Sequence, residues 1–271
     1  MSADIFAGQL TDPDLLAELY DLEHDEVSED FLFYREMAAR HRGPVLDLGC
    51  GSGRLFASLL AGGAEAIVGM DGSPALLRRA AGRIAGSGEL ARAAADGRIA
   101  LVEGDVRSLG ALRRPERFAL AVAAGVLPHL DGPEEAMQML GGMAALLRAG
   151  GRLVLDDLGP ALLPARDLPL SVDWRRTLHG REVVRRSQLV RREAPEGLRV
   201  AFSTMVDLGQ PDGTIARLPA SHRLWYPSTE ALTALVREAG LAVELAYGSH
   251  DLDPLDAEGV RRILVIQAAA G

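Results

Sequence analysis

Asp47, Gly49, Gly51, Gly53 and Asp71 are the residues whose types and spacing most directly imply chemistry in this chain. The first four lie in VLDLGCGSGR, Val45 to Arg54, and Asp71 follows the apolar run Ala66 to Met70. Glycines at every second position let backbone approach a ligand closely. A strand, a glycine turn and a helix in that order cradle a phosphate or another polar ligand on the helix N-terminus. Here Ser52 can open the helix, which then runs through Leu55, Phe56, Leu59 and Leu60. The spacing argues against a dinucleotide, whose fingerprint has a third glycine where Arg54 stands, and the Gly-Lys-Ser/Thr of a Walker loop is absent. An acid closing the second strand commonly holds ribose hydroxyls. Asp71 therefore fits a nucleoside lacking phosphates.

Such residues meet only if the frame brings strand ends together. Leu15, Leu16, Leu19 and Tyr20, then Phe31, Tyr34, Met37 and Ala38, recur at helical spacing and predict two helices before the first strand, with Asp12-Pro13 as cap and first turn. After the glycine turn the chain alternates. Strand Ala66 to Met70 precedes a helix from near Ser73-Pro74, and the Ala/Gly/Arg-rich stretch from Ala80 to Arg98 reads as helix and loop. Strands Ile99 to Glu103 and Phe118 to Val122, helix Pro133 to Leu147 and strand Arg152 to Leu155 follow. This alternation predicts a doubly wound parallel sheet. Beyond Gly159-Pro160 the pattern changes to partial period-two alternation, from about Val172 to Trp225, with turns at Pro195-Glu196-Gly197 and Pro211-Asp212-Gly213. Such turns join antiparallel strands. A helix over Ser228 to Ala239 and strands Leu241 to Tyr247 and Ile263 to Gln267 return to the main sheet.

The 271 residues suffice for one large domain carrying an insertion. The expected division is a helical cap over 1–44, a core over 45–160 and 226–271, and an inserted antiparallel sheet over 161–225. A hydrophobic share of 48% with 25% charged residues is globular, and at 4% aromatic the core must be built from Ala, Leu and Val. A net charge of −9 disfavours a nonspecific nucleic-acid surface. Cys50, the single cysteine, forms no intrachain disulfide and no cysteine-based zinc cluster. MSADIFAGQLTDPD lacks a basic region followed by an apolar run, and the longest apolar stretch, Phe118 to Leu127, is too short to span a bilayer. These features predict a soluble cytoplasmic protein.

VLDLGCGSGR, the acid of GMDGS (Asp71), the acid of VEGDV (Asp105), the strand FALAVAAGVLPHL and the LLRAGGRLVL segment, in that order, resemble the class I S-adenosylmethionine-dependent methyltransferases over Val45 to Leu155. Ala149 departs from the family, which usually has proline before the glycine pair. The resemblance implies a Rossmann-like, doubly wound, mostly parallel seven-stranded sheet with the small antiparallel sheet inserted. It implies S-adenosylmethionine as cofactor and S-adenosylhomocysteine as product. Backbone around Gly49, Cys50 and Gly51 would face the methionine portion, Asp71 the ribose, Asp105 the adenine amino group, and Val106 the ring. Asp47, Gly72 and Ala124 would belong to the same wall. Carboxylates suit hydroxyl and amino donors, and apolar side chains suit purine faces.

Ligands sit at the carboxyl ends of parallel strands, so Ala124 to His129 would open over the transferable methyl group. Neutral imidazole is suited to take the proton an amine or hydroxyl acceptor loses, which makes His129 the candidate base. The inserted sheet and the His129-Leu130 pair resemble the small-molecule branch that includes glycine N-methyltransferase and the deoxysugar N,N-dimethyltransferases. In the sugar enzymes a tyrosine in a Tyr-Asp context contacts the cofactor carboxylate, and Tyr20-Asp21 matches it. Tyr34 is a second tyrosine candidate, on the substrate side. His222, Arg223, Trp225 and Tyr226, where the insertion returns to the core, are candidates for an acceptor pocket. The arginines of REVVRRSQLVRRE read as the solvated face of a strand. Asp156-Asp157 suggests a catechol-type metal site, but strand four ends without a partnering acid, so no metal is expected. AAGVLPHL is neither the Asn/Asp-Pro-Pro-Tyr of nucleobase amino-methyltransferases nor the acid-rich segment expected of an aminopropyl transferase. The expectation is an N- or O-methyltransferase acting on a small metabolite by in-line transfer. The alternative is a noncatalytic cofactor-binding sensor or assembly module. A small-molecule acceptor is the expected partner, with no nucleic acid and no membrane, and the inserted sheet could serve a homodimer.

Overall fold

The computed structural model describes residues 12–112 and 117–268. The N-terminal stretch read for a leader, residues 1–11, lies outside the described residues. Helix α1 (Pro13–His24) is capped by the Asp12 carboxylate, which accepts the Asp14 N–H, and α2 (Phe31–Arg40) follows. The chain then alternates through β1 (Pro44–Leu48), α3 (Phe56–Ala61), β2 (Ala66–Asp71), α4 (Pro74–Gly86), α5 (Gly88–Ala95), β3 (Ile99–Glu103), β4 (Phe118–Ala124), α6 (Pro133–Leu146) and β5 (Leu147–Leu158). Four long strands come next: β6 (Leu168–Leu178), β7 (Arg181–Ala194), β8 (Gly197–Gly209) and β9 (Ile215–Pro227). Helix α7 (Thr229–Glu238), β10 (Leu241–Tyr247) and β11 (Arg261–Ala268) complete the described chain.

The main sheet runs β10-β11-β5-β4-β1-β2-β3, parallel except for β11, which is antiparallel to both β5 and β10. Its strands are covered on both faces, which is why they read as nearly continuous apolar runs. Side chains alternate between two cores. Leu46, Leu48, Val68, Met70 and Leu155 pack with Met139, Leu140 and Met143 of α6 and Leu232 and Val236 of α7. Val45, Ile67, Leu120, Val122 and Val154 face Phe33 and Tyr34 of α2, Phe56 and Leu59 of α3 and Ile84 of α4. The strand order reverses between β1 and β4, and there a doubly wound sheet leaves a crevice at its carboxyl edge.

Two local expectations are corrected. Ser52 does not open a helix: α3 begins at Phe56, because Gly53 at φ +76° interrupts right-handed geometry and residues 51–55 form turns, with the Gly53 N–H donated to the Cys50 carbonyl. The insertion is a four-stranded antiparallel sheet in the order β6-β7-β8-β9. Its first hairpin turns at His179-Gly180, a third turn beyond the two expected. Both residues have positive φ (50° and 74°), as a two-residue primed turn requires.

One end of the small sheet buries Val183, Val206 and Leu208 against Leu19 of α1, and the other packs Leu198, Val200 and Tyr226 with Leu158 and Leu163. Among the described residues no helix is long and apolar enough to cross a membrane.

Candidate active site

A cavity of about 880 Å³ opens at the switch point between β1 and β4, with α1 and β9 closing its sides. The glycine turn forms its floor. Gly49 and Cys50 both donate N–H to the Met70 carbonyl, at 2.7 and 3.0 Å, which ties the turn to the end of β2. Gly49 and Gly51 have φ of +69° and +55°, and a Cβ on them would lie 2.6 Å from Val126 Cγ2 and 2.8 Å from the Tyr20 hydroxyl. Glycine is needed there both for conformation and because the β4 loop and α1 come so close.

Asp71 sits beside the turn, its Oδ2 accepting the Gly51 N–H and its Oδ1 the Ser73 N–H, both at 2.8 Å. An ionised carboxylate offers about four lone-pair sites, so each oxygen keeps one for a ligand hydroxyl. Gly72, Leu76 and Val106 supply apolar surface next to it. Tyr20 reaches in from α1, stacked on His24 at 4.1 Å. Burial pushes its phenol up to about 12, with Asp71 adding and Arg54 opposing, so it stays an O–H donor. Arg54 grips Asp30 with two bonds of 2.8 and 2.6 Å and donates to the Val27 carbonyl, pinning the α1–α2 connection to the turn.

Asp105 and Arg107 form the opposite rim. Arg107 gives Asp105 its backbone N–H (2.8 Å), its Nε, shared between both oxygens (2.8 and 2.9 Å), and its Nη2 (2.5 Å), while Nη1 binds Glu135 at 2.6 Å. The Arg107 hydrogen bonds hold the Asp105 carboxyl below its ordinary range. With those sites filled, contact between Asp105 and an adenine amino group requires Arg107 to release it.

At the acceptor end stand Ala124, Gly125, Val126 and His129 from β4 and the following loop, and His222 from β9. His129 ends a single 3₁₀ turn, Leu127–His129. Burial lowers its imidazole below the ordinary value, with His222 lowering it further and Asp71 opposing. Burial lowers His222 likewise, with Arg185 adding.

Six candidates fall outside this cavity, among them Arg223 and Tyr226, the latter packed with Leu198 and Val200. Tyr34 is fully buried and donates its hydroxyl to Asp156 Oδ2 at 2.5 Å, in a network with His250 and Arg261, so it does not reach a substrate. Trp225 is 1% exposed and packs in the core, because it lies on the opposite face of β9 from His222. Asp47 is buried beneath the turn rather than lining it, and Cys50 turns its thiol into the core, where burial pushes that thiol's pKa up. The sequence reading missed Leu76, Arg107, Leu130 and Glu135. Glu135, in the first turn of α6, accepts the Asp131 N–H at 2.8 Å, and a carboxylate in a first helical turn was the signal available. Among the described residues no cluster of three metal-ligating side chains occurs.

The strand order, the acid after β2 and the cavity at the switch point define a doubly wound α/β fold with a pocket at the carboxyl edge of its sheet. Residues 45–151 match the family model described as a methyltransferase domain. Three solved structures share its fold. The CcbJ methyltransferase from Streptomyces caelestis is 23% identical, with a TM-score of 0.71 over 96% of this chain and 100% of its own. The sugar N-methyltransferase KedS8 from a Streptoalloteichus species is 19% identical, with a TM-score of 0.68 over 92% and 93%. CalS10, an amino pentose methyltransferase from Micromonospora echinaspora solved with its cofactor bound, is 20% identical, with a TM-score of 0.61 over 97% and 94%. No curated protein matches the sequence.

Proposed function

We propose that this chain is an S-adenosylmethionine-dependent methyltransferase that acts on an amino nitrogen of a small molecule, with an amino sugar as the acceptor class. The observation that carries this reading is the acceptor end of the cavity, where, among the described residues, two imidazoles line the wall and no Lys or Arg does, the charge of Arg185 acting on His222 from outside the lining. Arg107, the one Lys or Arg lining the cavity among the described residues, is committed to Asp105 and Glu135 at the far rim. Proton loss from an ammonium group to a neutral imidazole is uphill by only a few pKa units and is accessible near pH 7, whereas an aliphatic hydroxyl holds its proton too tightly for that base without a cation beside the oxygen. The fold shared with a sugar N-methyltransferase and an amino pentose methyltransferase supports the same class.

When bound, the cofactor supplies a methyl group already activated on a sulfonium, so the protein's task is mainly positioning. Asp71 is placed to accept ribose hydroxyls, and the Tyr20 O–H to donate to a carboxylate. The Val126 side chain, held against Gly49, excludes water from the transfer line. His129 takes the acceptor's proton. S-adenosylhomocysteine release against a panel of amino sugars and their matched hydroxyl analogues tests this reading. Turnover confined to the amines is expected, and hydroxyl analogues reacting equally fast, or no amine reacting, would overturn it.

A further inference from the structure

His129 and His222 reach the cavity from different bodies of the fold, one on the loop after β4 and the other on the small sheet. Their ring centroids are 6.2 Å apart with planes at 87°. Among the described residues neither ring has a protein hydrogen-bond partner, whereas His24 bonds the Tyr20 carbonyl and His250 bonds Asp156. Their spacing is held from outside the cavity. Strand β9 packs on the 127–129 turn, and Arg199 of β8 donates to the Asp131 carbonyl at 2.8 Å just beyond it.

Resting on the amine reading above, we propose that His129 and His222 accept the two N–H bonds of a primary amine, orient its lone pair toward the methyl donor, and make His222 a determinant of the first methylation. An imidazole nitrogen lies about 1.1 Å from its ring centroid and hydrogen bonds at about 2.9 Å, so a shared donor sits about 4 Å from each centroid. On a base of 6.2 Å, two such lines meet at roughly 100°, close to the tetrahedral H–N–H angle. Fixing both N–H directions leaves the lone pair one direction. That lone pair forms the N–C bond as the donor's S–C bond breaks, with its electron pair staying on sulfur. One N–H proton passes to His129 and then to solvent, leaving a secondary amine. The secondary amine has a single N–H, which His129 alone can accept.

Both rings must be neutral to accept these bonds, and the groups facing them act on that requirement. His129 faces His222 from β9 and Asp71 from β2, and His222 faces Arg185 from β7; burial is the largest influence on each and favours the neutral form.

The test compares His222→Ala and His222→Gln with the parent, using the fastest primary amine of the panel and its N-methyl derivative. His222→Ala should lower kcat/KM for the primary amine about tenfold and for the N-methyl amine less than about threefold, and Gln, whose carbonyl oxygen accepts a hydrogen bond, should restore part of the first step. Calorimetry in the presence of S-adenosylhomocysteine should show the same split in amine affinity without turnover. Equal losses on both amines, or unchanged amine affinity, would overturn the pairing while leaving amine methylation intact. Failure of the parent to methylate any amine would instead overturn the reading on which it rests.

Discussion

The cavity is lined from the seven-stranded sheet and, through His222, from the four-stranded sheet, and one buried carboxylate of each, Asp47 and Asp207, is treated in opposite ways. Asp156 of the main sheet is paired with Arg261, His250 and Tyr34 much as Asp207 is with its arginines. Asp207 of the small sheet is 6% exposed and meets Arg186 and Arg217, the latter through bonds of 2.7 and 2.9 Å. The Arg217 hydrogen bonds hold its carboxyl below the ordinary range. Asp47 of the main sheet is 3% exposed, its Oδ2 has no partner among the described residues, and burial pushes its carboxyl up to about 7, with Arg54 opposing and Asp71 and Asp30 reinforcing. The small sheet neutralises its buried acid and stands as a self-sufficient wall. The main sheet concentrates acids around a turn whose backbone N–H groups are the local compensation.

The largest way to break this contrast is to remove the carboxylate that organises the turn. Asp71→Ala deletes the acceptor for two backbone N–H groups as well as the ribose site, so affinity for S-adenosylmethionine should fall by about 3 kcal/mol, over a hundredfold. Calorimetric titration measures it. A change below about threefold would detach Asp71 from the cofactor wall.

The same contrast explains what the sequence made legible. The doubly wound main sheet and the positions of Asp71, Val106, Ala124 and His129 follow from strands buried on both faces and from ligands sitting at strand ends. Side-chain direction was harder to read. Tyr34 and Trp225 look like pocket aromatics in sequence, yet a helix and a strand each present one face to the core, and these two lie on it. His222 and Trp225 are an odd number of residues apart on one strand, so only one could face the cavity. Arg107 carries no motif, and its hold on Asp105 depends on a turn that brings Glu135 alongside.

A smaller effect tests the unpaired acid. Because the Asp47 carboxyl titrates at about 7 in the folded chain against an ordinary 3.8, its contribution to stability is full below about pH 4 and is lost as pH rises through 7. Asp157 carries the same sign, raised to about 7 by burial, so the parent weakens over this window from two sites. Asp47→Asn removes one of them. The variant should exceed the parent in stability by about 1–2 kcal/mol at pH 8, with the gap closing toward pH 4. Denaturant titrations at both pH values read this, and a difference independent of pH would mean that Asp47 is not the titrating group.

The smallest effect probes how firmly the two walls are joined. Arg199 crosses from β8 to the Asp131 carbonyl and also meets Glu196 at 2.8 Å, and a Cβ on Gly132 would approach its Nη2 to 3.0 Å. With 42% of the side chain exposed, its ion pair contributes well under about 1 kcal/mol, so global stability should hardly change in Arg199→Ala. The contact nevertheless fixes the loop carrying His129 against the strand carrying His222. KM for the acceptor should therefore rise about two- to fivefold while cofactor affinity stays constant, since loss of the bond to Asp131 loosens the acceptor end alone. If cofactor affinity fell in parallel, the two walls would be one coupled unit, and the independence inferred from their different treatment of buried acids would be lost.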